Sequence, residues 1–296
     1  MRILITGGAG FIGSNFVRRI VDGSYSGFSS VTVLDKLTYA GTLTNLLGLS
    51  ADSFKFVKGD ICDPELVQRL TREHDLVVNF AAESHVDRSI NGARDFVLTN
   101  VLGTQTLLDA VKSSNVKTYL QVSTDEVYGS VENGSSVETD LLLPNSPYSA
   151  SKAASDLIVR SYVKTYGLDA RITRSCNNYG PNQYPEKFIP LAIKNLKEGK
   201  KLSVYGDGMN IREWIHVEDH CLAIQGVIQK GEFGEIYNIG CDENMEYSVM
   251  DVAKVLIKNI HATEDYDKWI EYIEDRPFND KRYYISNEKL KNLGRT

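Results

Sequence analysis

The chain opens with a pattern that it repeats: a short apolar run, a turn, then a stretch with apolar positions three or four apart. Arg2 to Thr6 reads as a strand, and Phe16, Val17, Ile20 and Val21 place a helix after it. Val31 to Leu34, Phe54 to Lys58 and Leu76 to Phe80 read as the next three strands, followed by Tyr119 to Val122 and Ala170 to Thr173. Between them, Phe96 to Val111 carries Phe96, Val97, Val101, Leu107, Leu108 and Val111 at helical spacing, and most of these are assigned to the core. Strands alternating with helices imply βαβ units and a parallel sheet. From Ser175 onward the pattern changes, and Asn177 to Lys187 is polar and rich in turn residues. The expected division is a first domain over residues 1–174 and a discontinuous, smaller α/β lobe over 175–296. A segment spanning about 210–240 is expected to return to the first domain.

Chemistry enters at the turns. Gly7-Gly8-Ala9-Gly10-Phe11-Ile12-Gly13 joins the first strand to the first helix, with glycines at 7, 10 and 13. Glycine there permits a tight turn and lets backbone N–H groups approach a pyrophosphate at the positive end of the helix. Asp35 ends the second strand, where an acid accepts hydrogen bonds from adenosine ribose hydroxyls and repels a 2′-phosphate. This favours NAD over NADP and predicts a Rossmann-type doubly wound sheet. Asp60 and Ile61, after the third strand, are expected beside the adenine. Ala81 and Ala82, small residues after the fourth, leave room for the rest of the dinucleotide.

Ser123-Thr124-Asp125-Glu126-Val127-Tyr128-Gly129 places a hydroxyl and two carboxylates at the end of another strand, the edge on which open α/β sheets bind ligands. Tyr148 and Lys152 follow, four apart on one helix face. A phenol acting as a base near neutral pH needs its pKa lowered by about 3 pH units, about 4 kcal/mol. A neighbouring ammonium and a positively charged nicotinamide are the expected sources.

Composition narrows the alternatives. In 296 residues, 33 Lys and Arg against 39 Asp and Glu leave a net charge of −6 without a basic run, which argues against a nucleic-acid footprint. No apolar segment approaches the roughly 20 residues of a membrane helix, so a cytoplasmic location is expected. Cys62, Cys176, Cys221 and Cys241 have no metal-ligand spacing and read as buried or idle thiols.

Taken together, these motifs resemble the extended short-chain dehydrogenase/reductases, and within them the nucleotide-sugar 4,6-dehydratases, over nearly the whole chain. Gly7, Gly10, Gly13, Asp35, Asp60, Tyr148 and Lys152 fit the superfamily generally, including its epimerases. Ala81 to Ser89, Ser123 to Gly129, Asn177 to Pro181, Pro185 to Lys187 and Tyr205 to Gly208 are sharper. The resemblance implies that NAD is held by Gly7, Gly10, Phe11, Ile12, Gly13, Asp35, Lys36, Asp60, Ile61, Ala81, Ala82, Thr99, Tyr148 and Lys152. It assigns catalysis to Thr124, Asp125, Glu126, Tyr148 and Lys152. Ser84, His85, Asn177, Lys187, Arg212, Arg276 and Asn279 are the expected substrate contacts, the two arginines gripping a diphosphate.

The reaction implied is oxidation at C4 of dTDP-glucose, loss of water across C5 and C6, and hydride return to C6. In it Tyr148, helped by Lys152 and Thr124, takes the 4-hydroxyl proton, Glu126 is the base at C5, and Asp125 is the acid at the 6-hydroxyl. Arg276-Pro277-Phe278-Asn279-Asp280 departs from the Arg-Pro-Gly-His-Asp usual in bacterial dTDP-glucose members, so UDP-glucose stays open as substrate. The chain also stops at Leu293-Gly294-Arg295-Thr296, where family members usually continue into a further helical segment. A 4-epimerase or decarboxylase on the same scaffold, and a nucleotide-binding protein without catalysis, are the competing readings. A homodimer is expected, built from Phe96 to Val111 and Tyr148 to Tyr166.

Overall fold

A computed structural model describes residues 1–242 and 245–294, so Arg295 and Thr296 lie outside the described residues. The chain runs β1 (Arg2–Thr6), α1 (Phe11–Val21), β2 (Ser30–Asp35), β3 (Lys55–Lys58), α2 (Pro64–Thr71), β4 (Leu76–Asn79), α3 (Val86–Asn91) and α4 (Arg94–Phe96). A π-helical stretch, Val97–Leu102, leads into α5 (Gly103–Lys112). Then come β5 (Thr118–Thr124), α6 (Pro147–Tyr166), β6 (Ala170–Ser175), β7 (Asn177–Tyr179), α7 (Phe188–Lys197), β8 (Leu202–Tyr205), β9 (Ile211–His216) and α8 (Val217–Lys230). The chain closes with β10 (Ile236–Ile239), β11 (Glu246–Ser248), α9 (Val249–His261), β12 (Ile270–Ile273) and α10 (Glu288–Lys291).

Seven strands form one sheet in the order β3-β2-β1-β4-β5-β6-β10, with every pairing parallel. This is the doubly wound sheet expected from the alternation. Side chains alternate between its faces: Ile3 and Ile5 join one core with Phe16 of α1 and Ile224 of α8, while Leu4 joins another with Val67, Leu107 and Val159 of α2, α5 and α6. Each fully buried aliphatic side chain contributes about 1.5–3 kcal/mol, which a polar substitution at these positions would forfeit. The strand order reverses between β1 and β4, which puts a crevice at the carboxyl ends of those strands.

Beyond Ser175 the chain builds two small sheets, β11-β9-β7 and β12-β8. Ala192, Leu196, Val204, Met250, Ala253, Ile257 and Ile270 form a separate core under α7 and α9. Val217 to Ile239 then leaves this lobe: α8 packs on α1, and β10 extends the large sheet beside β6.

Two local features depart from the periodic reading. The third strand begins at Lys55 instead of Phe54, and the fourth ends at Asn79. In the helix expected over Phe96 to Val111, Phe96, Leu107, Leu108 and Val111 are buried, but Val97 is 53% exposed and Leu98 and Leu102 also face outward. The wider π turn carries an extra residue per turn, which puts a 3.6-residue stripe out of phase there.

α6 begins where its sequence dictates. The Ser146 hydroxyl accepts from Ser149 N at 3.0 Å and the Ser149 hydroxyl accepts from Ser146 N at 3.0 Å, with Pro147 in the first turn. It ends at Gly167, whose φ of +66° suits glycine. Eight residues beyond Tyr148 on this helix, Asp156 is fully buried and binds Arg174 Nε of β6 at 2.9 Å. Arg174 Nη1 donates to Tyr128 Oη at 2.7 Å, and Tyr128 Oη donates to Asn238 Oδ1 of β10 at 2.8 Å. Removing one member of a buried pair strands the other charge. Asp156→Ala is therefore expected to cost about 3–5 kcal/mol and lower the thermal unfolding midpoint. Glu264→Gln, which breaks the exposed Lys258–Glu264 pair, is expected to leave the midpoint in place. Equal midpoints for both variants would contradict this account of the network.

Candidate active site

The carboxyl ends of β1, β2, β4, β5 and β6 open into one cavity of about 610 Å³, which the second lobe walls on its far side. Fourteen residues were expected to hold a dinucleotide, and all fourteen line it: Gly7, Gly10, Phe11, Ile12, Gly13, Asp35, Lys36, Asp60, Ile61, Ala81, Ala82, Thr99, Tyr148 and Lys152. The glycine turn is tight against its surroundings. A Cβ at Gly13 would lie 2.4 Å from Gly7 O, and one at Gly7, where φ is +69°, would lie 2.5 Å from Ala81 N. α1 starts at Phe11 with no side-chain cap and no acid in its first turn, so its free N–H groups and positive end meet the cavity without a protein anion.

That arrangement fits a pyrophosphate. Asp35 is held by N–H donors from Ala9 at 2.9 Å and Leu37 at 2.8 Å, which fixes its carboxylate on the cavity wall, while burial pushes its pKa up. Lys36 pairs with Asp60 at 2.6 Å on the same wall.

Of the five expected catalytic residues, Thr124, Glu126, Tyr148 and Lys152 line the cavity and Asp125 does not. β5 ends at Thr124, and a single 3-10 turn over Asp125–Tyr128 follows, so adjacent carboxyls face different surroundings. Asp125 lies 2% exposed behind the wall, with Thr124 Oγ1 donating to its Oδ1 at 3.2 Å. Burial, then the charges of Glu126 and Glu213, lift Asp125 well above the ordinary carboxylate range. Glu126 is also raised by burial, but Lys187, Arg212 and Arg276 pull it back. Two neighbouring acids are thereby driven apart in proton affinity.

Tyr148 does not show the fall expected of it. Burial and the charge of Glu126 push the phenol above its usual pKa, opposed chiefly by a hydrogen bond with Thr124. Lys152 lies in the same wall, but its Nζ donates to Val122 O at 2.7 Å, and burial lowers it to about 8. The protein by itself does not acidify this phenol.

The expected substrate contacts, Ser84, His85, Asn177, Lys187, Arg212, Arg276 and Asn279, also line the cavity. Lys187 Nζ donates to Ser84 O at 2.6 Å. The two arginines are not idle forks. Arg212 donates to Ile211 O at 2.8 Å, Asp280 O at 2.7 Å and Asn279 Oδ1 at 3.3 Å, and its guanidinium lies 4.3 Å from the Tyr283 ring centre. Arg276 pairs with Asp87 at 2.6 Å and lies over Tyr205. Sequence reasoning missed Asp87 and Tyr283 as cavity residues. Asp87 was visible inside the Ala81 to Ser89 motif, while Tyr283 had no sequence signal. Asn100 was missed too: buried, it binds Glu83 N at 2.9 Å through Oδ1 and Ser151 Oγ at 2.8 Å through Nδ2, fixing the loop after β4 to α6. Among the described residues no three His, Cys, Asp or Glu side chains converge as metal ligands, and no helix is long and apolar enough to cross a membrane.

Comparison with known proteins bears out the family resemblance and the fold. The Low-salt glycan biosynthesis protein Agl12 of Haloferax volcanii is 52% identical over 99% of this chain and 93% of its own length. The dTDP-glucose 4,6-dehydratase of Streptomyces niveus is 47% identical over 98% and 86%. In structure, the dTDP-glucose 4,6-dehydratase DesIV of Streptomyces venezuelae, solved with NAD bound, superposes with a TM-score of 0.96 at 49% identity, covering 100% of this chain and 92% of that one. The UDP-glucose 4-epimerase of Thermotoga maritima is more distant at 28% identity, with a TM-score of 0.88 over 99% and 93%. The GDP-mannose 4,6 dehydratase family model matches residues 4–294, and the chain belongs to that family.

Proposed function

We propose that the chain is an NAD-dependent lyase that converts dTDP-glucose to dTDP-4-keto-6-deoxyglucose. The observation that carries this reading is the pair of carboxyls at Asp125 and Glu126, held beside Tyr148 and Lys152 at the end of β5. A 4-epimerase needs a base at O4 but no acid–base pair for C5 and C6, and its solved representative is the more distant relative. Curated relatives at 47–49% identity are dTDP-glucose 4,6-dehydratases, and DesIV was crystallised with NAD.

NAD, when bound, supplies the hydride acceptor for C4 and returns the hydride at C6. Its positive ring and Lys152 are the cations that the Tyr148 phenol needs in order to take the 4-hydroxyl proton. Thr124 orients that phenol by its hydrogen bond. Once C4 is a ketone, Glu126 on the cavity wall removes the C5 proton, with Lys187, Arg212 and Arg276 opposing the rise in proton affinity that burial imposes on it. Asp125, whose proton affinity is raised by its buried setting, is the acid for the departing 6-hydroxyl, with the Thr124 hydroxyl lying between it and the cavity. Arg212 and Arg276 approach the diphosphate, Arg276 exchanging Asp87 for it.

The base is assigned to thymine on the dTDP-glucose relatives. A plant trifunctional enzyme with UDP-glucose 4,6-dehydratase activity, from Arabidopsis thaliana, is 45% identical over 99% of this chain and supports the uracil alternative. Product formation, followed by the alkali-sensitive absorbance of a 4-keto sugar, is expected with kcat/KM higher for dTDP-glucose than for UDP-glucose; no product from either would refute the reading. Glu126→Gln and Asp125→Asn are expected to lower kcat by about 10²–10⁴-fold while single-turnover reduction of the nicotinamide persists, whereas Tyr148→Phe abolishes that reduction as well. A variant lacking both carboxyls that still turns over would favour the epimerase.

We place the reaction in the cytoplasm and propose a homodimer. The support for the dimer is the run of outward apolar residues on adjacent helices: Val97, Leu98 and Leu102 with Leu157 and Tyr166 of α6. Sedimentation at micromolar concentration is expected to give a dimer, and Val97→Glu with Leu157→Glu a monomer; an unaltered oligomer in that double variant would exclude this face.

A further inference from the structure

Cys176 and Cys241, far apart in sequence, are brought together by the sheet. β10 pairs with β6 so that Ile239 lies opposite Ser175, and Cys176 N donates to Ile239 O at 3.2 Å. One residue past the end of β6 and two past the end of β10, the two sulfurs stand 4.0 Å apart. Cys176 is buried from bulk solvent but forms part of the cavity wall between Ser175 and Asn177, whereas Cys241 is half-buried. Neither thiol has a part in the proposed reaction.

The two are chemically unequal. The S–H of Cys176 can donate to Cys241, and this bond together with burial holds Cys176 as a thiol. The same bond lowers the pKa of Cys241, against burial and the charges of Glu213 and Asp242. Cys62 and Cys221 are raised by burial to about 11 and about 12, so they are poorer nucleophiles.

We propose that Cys241 and Cys176 form an oxidation site, a dithiol that a hydroperoxide converts into an intramolecular disulfide. The Cys241 thiolate attacks the terminal peroxide oxygen; an S–O bond forms, the O–O bond breaks, and the alcohol or water leaves with a proton, giving a sulfenic acid. Cys176 then loses its proton and attacks that sulfur; the S–S bond forms and the oxygen leaves as water. With hydrogen peroxide the sum is two thiols and one peroxide giving one disulfide and two waters. A disulfide is about 2 Å long, so the sulfurs close roughly half their separation. That draws the wall carrying Cys176 toward β10, beside Asp125 and Asn177, and turnover falls. Exchange with a small thiol restores it.

The test uses the holoenzyme treated with hydrogen peroxide, alkylated and proteolysed. Mass spectrometry is expected to show the Cys176 peptide joined to the Cys241 peptide, lighter by two hydrogens and released by dithiothreitol. With dTDP-glucose as substrate, kcat/KM is expected to fall several-fold and recover on reduction, while Cys241→Ser keeps its basal rate and does not respond. In Cys176→Ala the sulfenic acid is expected to persist at Cys241 and be trapped by dimedone. Both cysteines still alkylated after oxidation, Cys241 driven to sulfinic acid with Cys176 free, or a joined peptide with unchanged turnover would each overturn the proposal. The mass measurement is independent of the dehydratase reading, so failure of one is distinguishable from failure of the other.

Discussion

The buried pair of Arg174 and Asp156 is the constraint on which the site's geometry depends. Asp156 lies on α6 one turn past Lys152 and two past Tyr148, Arg174 lies on β6, and Tyr128 closes the 3-10 turn that begins with Asp125 and Glu126. Through Asn238 the same network reaches β10. A single guanidinium therefore sets the relative positions of the helix carrying the phenol, the turn carrying the carboxyls, and the last strand of the sheet. Its cost is two ions removed from water, offset by their mutual attraction and by the bonds from Arg174 to Asp156 Oδ2 and Tyr128 Oη.

From that frame follows the contrast between neighbouring acids. Asp125 and Glu126 are consecutive, yet one is sealed behind the wall and the other faces Lys187, Arg212 and Arg276. The donor and acceptor roles proposed for them rest on this difference in setting. The raised phenol of Tyr148 belongs to the same logic: a low-polarity wall with a carboxylate nearby resists forming a second anion until a cation enters.

Local chemistry was legible in the sequence. The glycines at 7, 10 and 13, Asp35 at a strand end, and Tyr148 with Lys152 on one helix face each depend on residues close in the chain, and the parallel sheet followed from the alternation of apolar runs. What the sequence did not show joins distant segments. Arg276 was read as a fork for a diphosphate and is paired with Asp87, 189 residues away. Cys176 and Cys241 were read only as buried or idle thiols and are neighbours at the ends of β6 and β10. The burial of Asp125 escaped notice because a strand-end turn has no period to reveal which way a side chain faces. Val97 was assigned to the core because the π turn shifts the helical phase, which composition does not announce.

The central claim is that one cavity oxidises C4 and eliminates water across C5 and C6, with the hydride kept inside the protein throughout. The most direct measurement follows deuterium from C4 of dTDP-glucose during turnover in ordinary water. The account predicts that the label appears at C6 of the 4-keto product; label lost to solvent, or retained at C4 of an epimerised sugar, would contradict it.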